Sequence, residues 1–144
     1  MTTDIEVLFV AGFGPIVRDV EESAALYRDA LGLKLEADTA EPDYLHSGNV
    51  EGVKHFALWP LYKAATSCFG VPKWPDDVPT PNAWIEFDVA DIEAATKSLK
   101  AKGYRLLVAL RKEPWGQTVT RLLSPEGVLV GITFTPFFRS KRAT

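Results

Sequence analysis

Few side chains in this sequence combine reactive chemistry with a place on a regular element. His55 opens the strand-like stretch His55–Leu61, and Glu86 lies within Ala83–Val89. An imidazole and a carboxylate turned to one face can serve as general base and general acid, and these two are the catalytic candidates. Trp59 and Trp84 belong to the same two stretches and offer flat apolar surfaces for a planar ligand. A carboxylate beside an indole also suits an amine-bearing molecule, through charge pairing and the pull of a cation toward the ring. The duller readings stand beside these. Either indole can be core or dimer interface, His55 can be a satisfied strand histidine, and His46, beside a turn, reads as solvated. Trp115 reads as a turn anchor, and Cys68, with no motif to activate it, as a small semi-buried hydrophobe. No phosphate-binding loop, dinucleotide fingerprint or nucleophile elbow is present.

The elements that must position these residues come in two copies, about 72 residues apart. The first reads Phe13-Gly14-Pro15-Ile16-Val17-Arg18-Asp19-Val20, then a helix closing at Leu31-Gly32; the second reads Trp84 to Ile92, then a helix closing at Lys102-Gly103. A repeat of this length fixes the architecture before any motif is read. Asp19 and Asp91 are placed to cap the two helices, and Glu22 completes a box-like pair with Asp19. Val20, Ala24, Tyr27 and Leu31 recur at helical spacing, as do Ile92, Ala95 and Leu99. Gly32 and Gly103 stand where a left-handed C-terminal residue is needed.

The strand pattern predicts Val7–Val17, with a bulge or an unpaired N–H at Pro15, then Leu33–Ala37, Tyr44–Ser47 and His55–Leu61. In the second half it predicts Ala83–Val89, Tyr104–Leu110, Gln117–Leu123 and Val128–Phe134. The proline-rich stretch Pro60–Asn82 between the halves reads as a linker with a short helical turn at Ala64–Cys68. The organisation is one domain over 1–144, with a first βαβββ module at 5–61, a linker at 62–82 and a second βαβββ module at 83–135. The fold class is α+β: an open, U-shaped mixed sheet with a central cleft and helices on its outer face.

Composition removes several function classes. A net charge of −3 disfavours a nucleic-acid or anionic-membrane surface. A lone cysteine excludes an internal disulfide and suits a reducing compartment. No apolar run reaches membrane-spanning length, and the start Met-Thr-Thr-Asp-Ile-Glu lacks a signal pattern, so the expectation is a cytoplasmic protein. The basic Arg139-Ser140-Lys141-Arg142 tail reads as a solvated terminus.

Four local patterns carry a family resemblance. They are Val17-Arg18-Asp19-Val20-Glu21-Glu22-Ser23 with Leu26 to Leu33, Phe87 to Ala95, Glu113-Pro114-Trp115-Gly116-Gln117, and Ser124-Pro125-Glu126-Gly127. In order and spacing they resemble the vicinal oxygen chelate superfamily, which includes glyoxalase I, extradiol dioxygenases, fosfomycin-resistance enzymes and bleomycin-binding proteins. The resemblance implies paired βαβββ modules, commonly in homodimers. It also implies four cleft-facing strand positions that hold a divalent ion in the metal-binding members. Those positions fall here on Gly12, Ala57, Trp84 and Gly131, none of which brings a metal-ligating side chain. The expectation is no metal and no cofactor.

Strand alternation then sets the expected groove. Gly12, Gly14 and Ile16 share one side of their strand, and Trp84, Glu86 and Asp88 share one side of theirs. His55, Ala57 and Trp59 line up on a third strand, and Leu129, Gly131 and Thr133 on the last. The expected ligand-binding set is Gly12, Gly14, His55, Ala57, Trp59, Trp84, Glu86 and Gly131, with the small residues making room for the ligand. Apolar walls with a few convergent polar groups are the usual makeup of a small-molecule site.

The leading expectation is a metal-free binding protein, resembling the bleomycin-resistance branch, that captures an aromatic or amine-bearing small organic molecule. In that branch such capture serves antibiotic resistance. Two alternatives stand: a glyoxalase- or dioxygenase-like lyase or isomerase, with displaced metal ligands or Glu86 and His55 as acid and base, and a protein-interaction module. A homodimer is expected, with Phe134, Phe137 and Phe138 as an apolar cluster at a dimer contact or at the groove mouth.

Overall fold

The computed structural model describes residues 5–139. Its first module holds β1 (Val7–Val17), α1 (Val20–Ala24), β2 (Glu36–Ala37), β3 (Leu45–Ser47) and β4 (Phe56–Pro60). The second holds β5 (Ala83–Val89), α3 (Ile92–Ala101), β6 (Val108–Lys112), β7 (Thr118–Leu123) and β8 (Leu129–Phe134). Helix α2 (Leu61–Phe69) lies between the modules, and the short α4 (Pro136–Arg139) follows the last strand.

The helices start and stop for the reasons their sequences suggest. Asp19 accepts the Glu22 N–H at 3.1 Å, and Asp91 accepts the Ala94 N–H at 3.0 Å, which satisfies otherwise unpaired donors at each N-terminus. Gly32 and Gly103 adopt φ of 79° and 89°, the left-handed region where a side chain would be strained. The first helix departs from expectation in one way. After Ala24 it widens into a π-helical turn over Ala25–Ala30.

All eight strands join one mixed sheet in the order β2-β3-β4-β1-β5-β8-β7-β6. Each module is a four-stranded half in which a first strand runs parallel to the fourth, β1 with β4 and β5 with β8. The halves meet along antiparallel β1 and β5, from Val7 opposite Val89 to Pro15 opposite Ala83. The two modules therefore pair within the chain. The irregularities of β1 lie between Val7 and Phe9 and between Val10 and Gly12, not at Pro15, and Ile16 N–H beyond the proline bonds to Asn82 O. Six expected strands start later than their hydrophobic pattern, four of them by one residue; the larger delays are β2, which begins at Glu36 instead of Leu33, and β6, which begins at Val108 instead of Tyr104.

One face of the sheet carries α1 and α3. Val17, Phe56 and Leu58 pack with Ala24 of α1, and Val89, Leu122 and Ile132 with Ala95 of α3. The opposite face is where expectation and structure part. The linker's helical turn is a nine-residue helix, α2, and its Ala64, Ala65 and Cys68 pack on Ile16, Ala57, Trp84 and Leu129. These four residues alternate with those under α1 and α3, so α2 lies inside the cleft, not on the outer face. Trp74 and Val78 of the following segment join the same cluster. Part of the groove is thus filled by the chain's own linker.

Candidate functional site

The unfilled part of the groove is a cavity of about 740 Å³, within the range of small-molecule sites. The two modules, α2 and α4 all contribute to its walls. Four of the residues expected from sequence line it: His55, Trp59, Trp84 and Glu86. The other four lie beneath it. A Cβ on Gly12 would meet the Trp84 ring at 2.8 Å, and one on Gly14 would stand 2.0 Å from Ala57 O. One on Gly131 would meet Glu86 Cγ at 2.9 Å, and Ala57 itself is fully buried. The room left by the small residues is occupied by the protein's own Trp84 and Glu86 side chains.

Along module one the cavity wall is a run of rings. Tyr44, His46 and His55 stack with centroids 5.5 to 6.0 Å apart and planes within 26°. The Tyr44 hydroxyl and His55 Nε2 share a hydrogen bond of 2.7 Å. The run continues from His55 to Trp84 and from Trp84 to Trp59 at 6.4 and 5.9 Å. His46, expected to be solvated, stands in this wall because β3 pairs it with Ala57 of β4. Burial, then the facing His46, lowers the His55 pKa below its ordinary value, against a smaller opposite pull from Glu86. Burial, aided by Glu86, raises the Tyr44 phenol and keeps it protonated.

Along module two the wall is charged, and here the sequence reading missed most. Glu86 is no isolated carboxylate among apolar groups. Arg121 Nη1 donates to it at 3.0 Å and Gln117 Nε2 at 2.9 Å. Glu113, also buried, accepts from Ser67 Oγ at 2.9 Å and from Arg111 Nε at 3.0 Å, and lies 3.8 Å from Arg121 Nη2. Arg111 Nη1 bonds to Ser67 O, so α2 is fastened to the second module. At the other module, Lys63 pairs with Asp43 at 3.2 Å and also with Glu41, and Tyr62 donates to Asp43. The signal for Arg121 was present in the sequence: β7 pairs it with Gly131, so strand alternation places it on the cleft side.

Exposed aromatic surface rims the opening. Trp115, Tyr62 and Phe137 are each about half exposed and line the cavity with Phe138. Trp115 Nε1 also donates to Gln117 Oε1 at 2.9 Å, so it anchors its turn while facing the cavity. Asp88, fully buried, holds the chain that carries Phe137 and Phe138: it accepts from Thr135 N at 2.8 Å and from Arg139 Nε at 3.1 Å. Phe134 lies apart from the cavity lining, with the Arg139 guanidinium over its ring. Ser140, Lys141 and Arg142 of the basic tail lie outside the described residues.

A tandem βαβββ sheet with a cavity between its halves defines the class. The chain matches the family model for the Glyoxalase/Bleomycin resistance protein/Dioxygenase superfamily over residues 13–132 and belongs to that superfamily. Its fold is similar to a superfamily member from Vibrio splendidus 12B01, at 17% identity, 86% of this chain, 96% of that one and a TM-score of 0.57. It is also similar to methylmalonyl-CoA epimerase from Streptomyces coelicolor, at 18% identity, 89% and 97% coverage and a TM-score of 0.52. At such identities the likeness concerns the fold. None of the curated proteins matches the chain.

The divalent ion found in some members does not fit these residues. Among the described residues no three His, Cys, Asp or Glu side chains are grouped to hold a metal. At the positions where the sequence resemblance led ligands to be expected, Gly12, Ala57 and Gly131 offer no side-chain donor atom. The fourth, Trp84, gives its indole N–H to Ala57 O at 3.3 Å. Among the described residues no helix is long and apolar enough to cross a membrane.

Proposed function

We propose that this protein captures a planar aromatic small molecule in the cavity between its modules, stoichiometrically and without a metal ion. The observation that carries this reading is the lining: rings along one wall, exposed aromatic groups at the mouth and a linked set of charged side chains at the other wall. Flat apolar surfaces supply most of the burial, and a few fixed polar groups orient the ligand. Of the two ligand types expected from sequence, the aromatic one has the better support. Glu86, which would have attracted an amine, is already paired with Arg121. Trp59 likewise has Arg121 4.8 Å from its ring centroid, which leaves Trp115, Tyr62 and Phe137 as the exposed stacking surfaces.

Native mass spectrometry of the tag-free protein, purified without chelator, tests this reading. An adduct of organic mass supports it and supplies a molecule to identify; one transition-metal ion per chain overturns it. The same spectrum reads the expected homodimer directly.

A second reading has its own observation. The Tyr44 hydroxyl lies 2.7 Å from His55 Nε2 on the cavity wall, an arrangement that can move a proton to or from a bound molecule. Turnover of the captured compound that disappears in both Tyr44→Phe and His55→Gln, with capture retained, would make the protein an acid–base enzyme.

A further inference from the structure

Arg121 is the most deeply placed charge on the cavity wall, with 1% of its surface exposed. Its planar head carries five N–H donors, and a buried donor without an acceptor is costly. The protein supplies few acceptors. Nη1 reaches Glu86 at 3.0 Å, Nη2 has only Glu113 at 3.8 Å, beyond hydrogen-bond range, and Nε is buried with no protein partner. Nε and Nη2 form one side edge of the guanidinium, the edge that binds two acceptor lone pairs in a plane. Both neighbouring carboxylates are committed elsewhere: Glu86 also accepts from Gln117, and Glu113 from Ser67 and Arg111. The Trp59 ring, an apolar neighbour with its centroid 4.8 Å from Arg121 Cζ, supplies no acceptor to this edge. The polar wall therefore ends in an unused, rigidly held pair of donors.

The charge balance narrows what would use them. Glu86 and Glu113 formally cancel Arg121 and Arg111, so the wall offers no net attraction to an anion. An added carboxylate would also face two others already in place. An added ammonium would find both carboxylates occupied and a guanidinium beside it. A neutral oxygen acceptor satisfies the donors without adding charge.

We propose that the side edge of Arg121 is the specificity element of this cavity, and that the aromatic ligand carries a neutral carbonyl-type acceptor, as in a lactone, quinone or amide. This rests on the small-molecule reading above and deepens it. The guanidinium is held in advance by Glu86 and Trp59, so little ordering is needed when the acceptor arrives. Because the contact is made away from water, a ligand lacking the acceptor leaves the donors unmet and is rejected.

Four bicyclic probes of similar size test it by calorimetric titration of the full chain: coumarin, naphthalene, 2-naphthoate and 2-naphthylmethylammonium. Coumarin is expected to bind at least about tenfold more tightly than the other three. Arg121→Lys keeps the positive charge but removes the planar edge, and is expected to weaken coumarin at least about tenfold more than it weakens naphthalene. Equal affinity for all four overturns the inference and leaves Arg121 as a cross-link between strands, with the small-molecule reading intact. Preference for either charged probe also overturns it, as does an Arg121→Lys variant that weakens coumarin and naphthalene alike. Binding of none of the four overturns the small-molecule reading along with it. If the lysine variant does not fold, the ranking of the four probes on the unaltered chain still decides.

Discussion

The Trp84 indole sits in the space that a side chain on Gly12 would need: a Cβ there would lie 2.8 Å from both Cη2 and Cζ3. Gly14 repeats the relationship one pleat along, where Ala57 O and the indole Nε1 crowd its Cβ position at 2.0 and 3.1 Å. Trp84 is only 3% exposed and its N–H is bonded to that same carbonyl. The glycines of β1 thus form a seat for one tryptophan, which in turn forms the cavity wall.

Gly14→Ala is therefore expected to destabilise the fold by about 3 kcal/mol, at the upper end for overpacking, because the clash is with backbone that cannot rotate away. Gly12→Ala, which meets a ring edge that can shift, is expected to cost about 1–2 kcal/mol. Urea unfolding of the two variants reads the difference, and equal stabilities would show that the carbonyl of Ala57 yields as easily as the indole.

The Glu86–Arg121 pair is nearly water-free, and breaking one partner strands the other. Glu86→Gln preserves shape and removes the charge, and is expected to destabilise by about 3 kcal/mol. Surface pairs such as Lys73–Asp76 are expected to contribute under about 1 kcal/mol by comparison. Denaturant midpoints for Glu86→Gln and Asp76→Asn give the contrast. A Glu86→Gln loss no larger than the surface one would mean that water reaches Arg121.

His55 ties stability to pH in a defined direction. Its folded-state pKa lies below the ordinary value of 6.5, chiefly through burial. Above that value both folded and unfolded chains hold it neutral and the stability is full. As pH falls from there the unfolded chain takes up the proton first, so stability falls until the folded group is protonated too. Melting temperatures between pH 8 and pH 5 are expected to drop less steeply for His55→Gln than for the unaltered chain. Parallel curves would place the pH dependence in other groups.

Cys68 of α2 is buried against the cleft face of the sheet, and burial pushes its thiol up to about 11. Relative to an ordinary thiol the thiolate is about a hundredfold scarcer at pH 8. Modification by an aromatic disulfide reagent is expected to be at least that much slower in the folded protein than in urea. Rapid labelling without urea would mean that α2 lifts from the cleft.

Much of the fold was legible because it depends on short-range signals. Helix caps at Asp19 and Asp91, terminating glycines at 32 and 103, and alternation along β1 and β5 each involve residues a few positions apart. Alternation also located His55, Trp59, Trp84 and Glu86 on the cavity wall. It would have located Arg121 and His46 too, since their strand partners, Gly131 and Ala57, were already placed on the cleft side. What no local pattern carried was occupancy. That small residues leave space can be read from one strand; that the space is filled by an indole from the neighbouring strand cannot.

The sequence by itself determined the two βαβββ modules and the order in which they come, because hydrophobic period, capping and turn chemistry are encoded within each segment. It also set the side-chain types at Gly12, Ala57, Trp84 and Gly131, the positions to which the family resemblance would assign metal ligands. Only the tertiary structure decided that the linker folds into the cleft and that Tyr44, His46 and His55 stack. It alone closed Glu86, Glu113, Arg111 and Arg121 into one network. Both the stack and the network are closed by contacts between residues 11 to 46 positions apart, such as Tyr44–His55, Glu86–Arg121 and Ser67–Glu113, brought together by strand pairing and the packing of α2. Charge pairing of that kind leaves no periodic trace in a chain, and here it separates an apolar groove with a lone carboxylate from a cavity with one unsatisfied guanidinium edge.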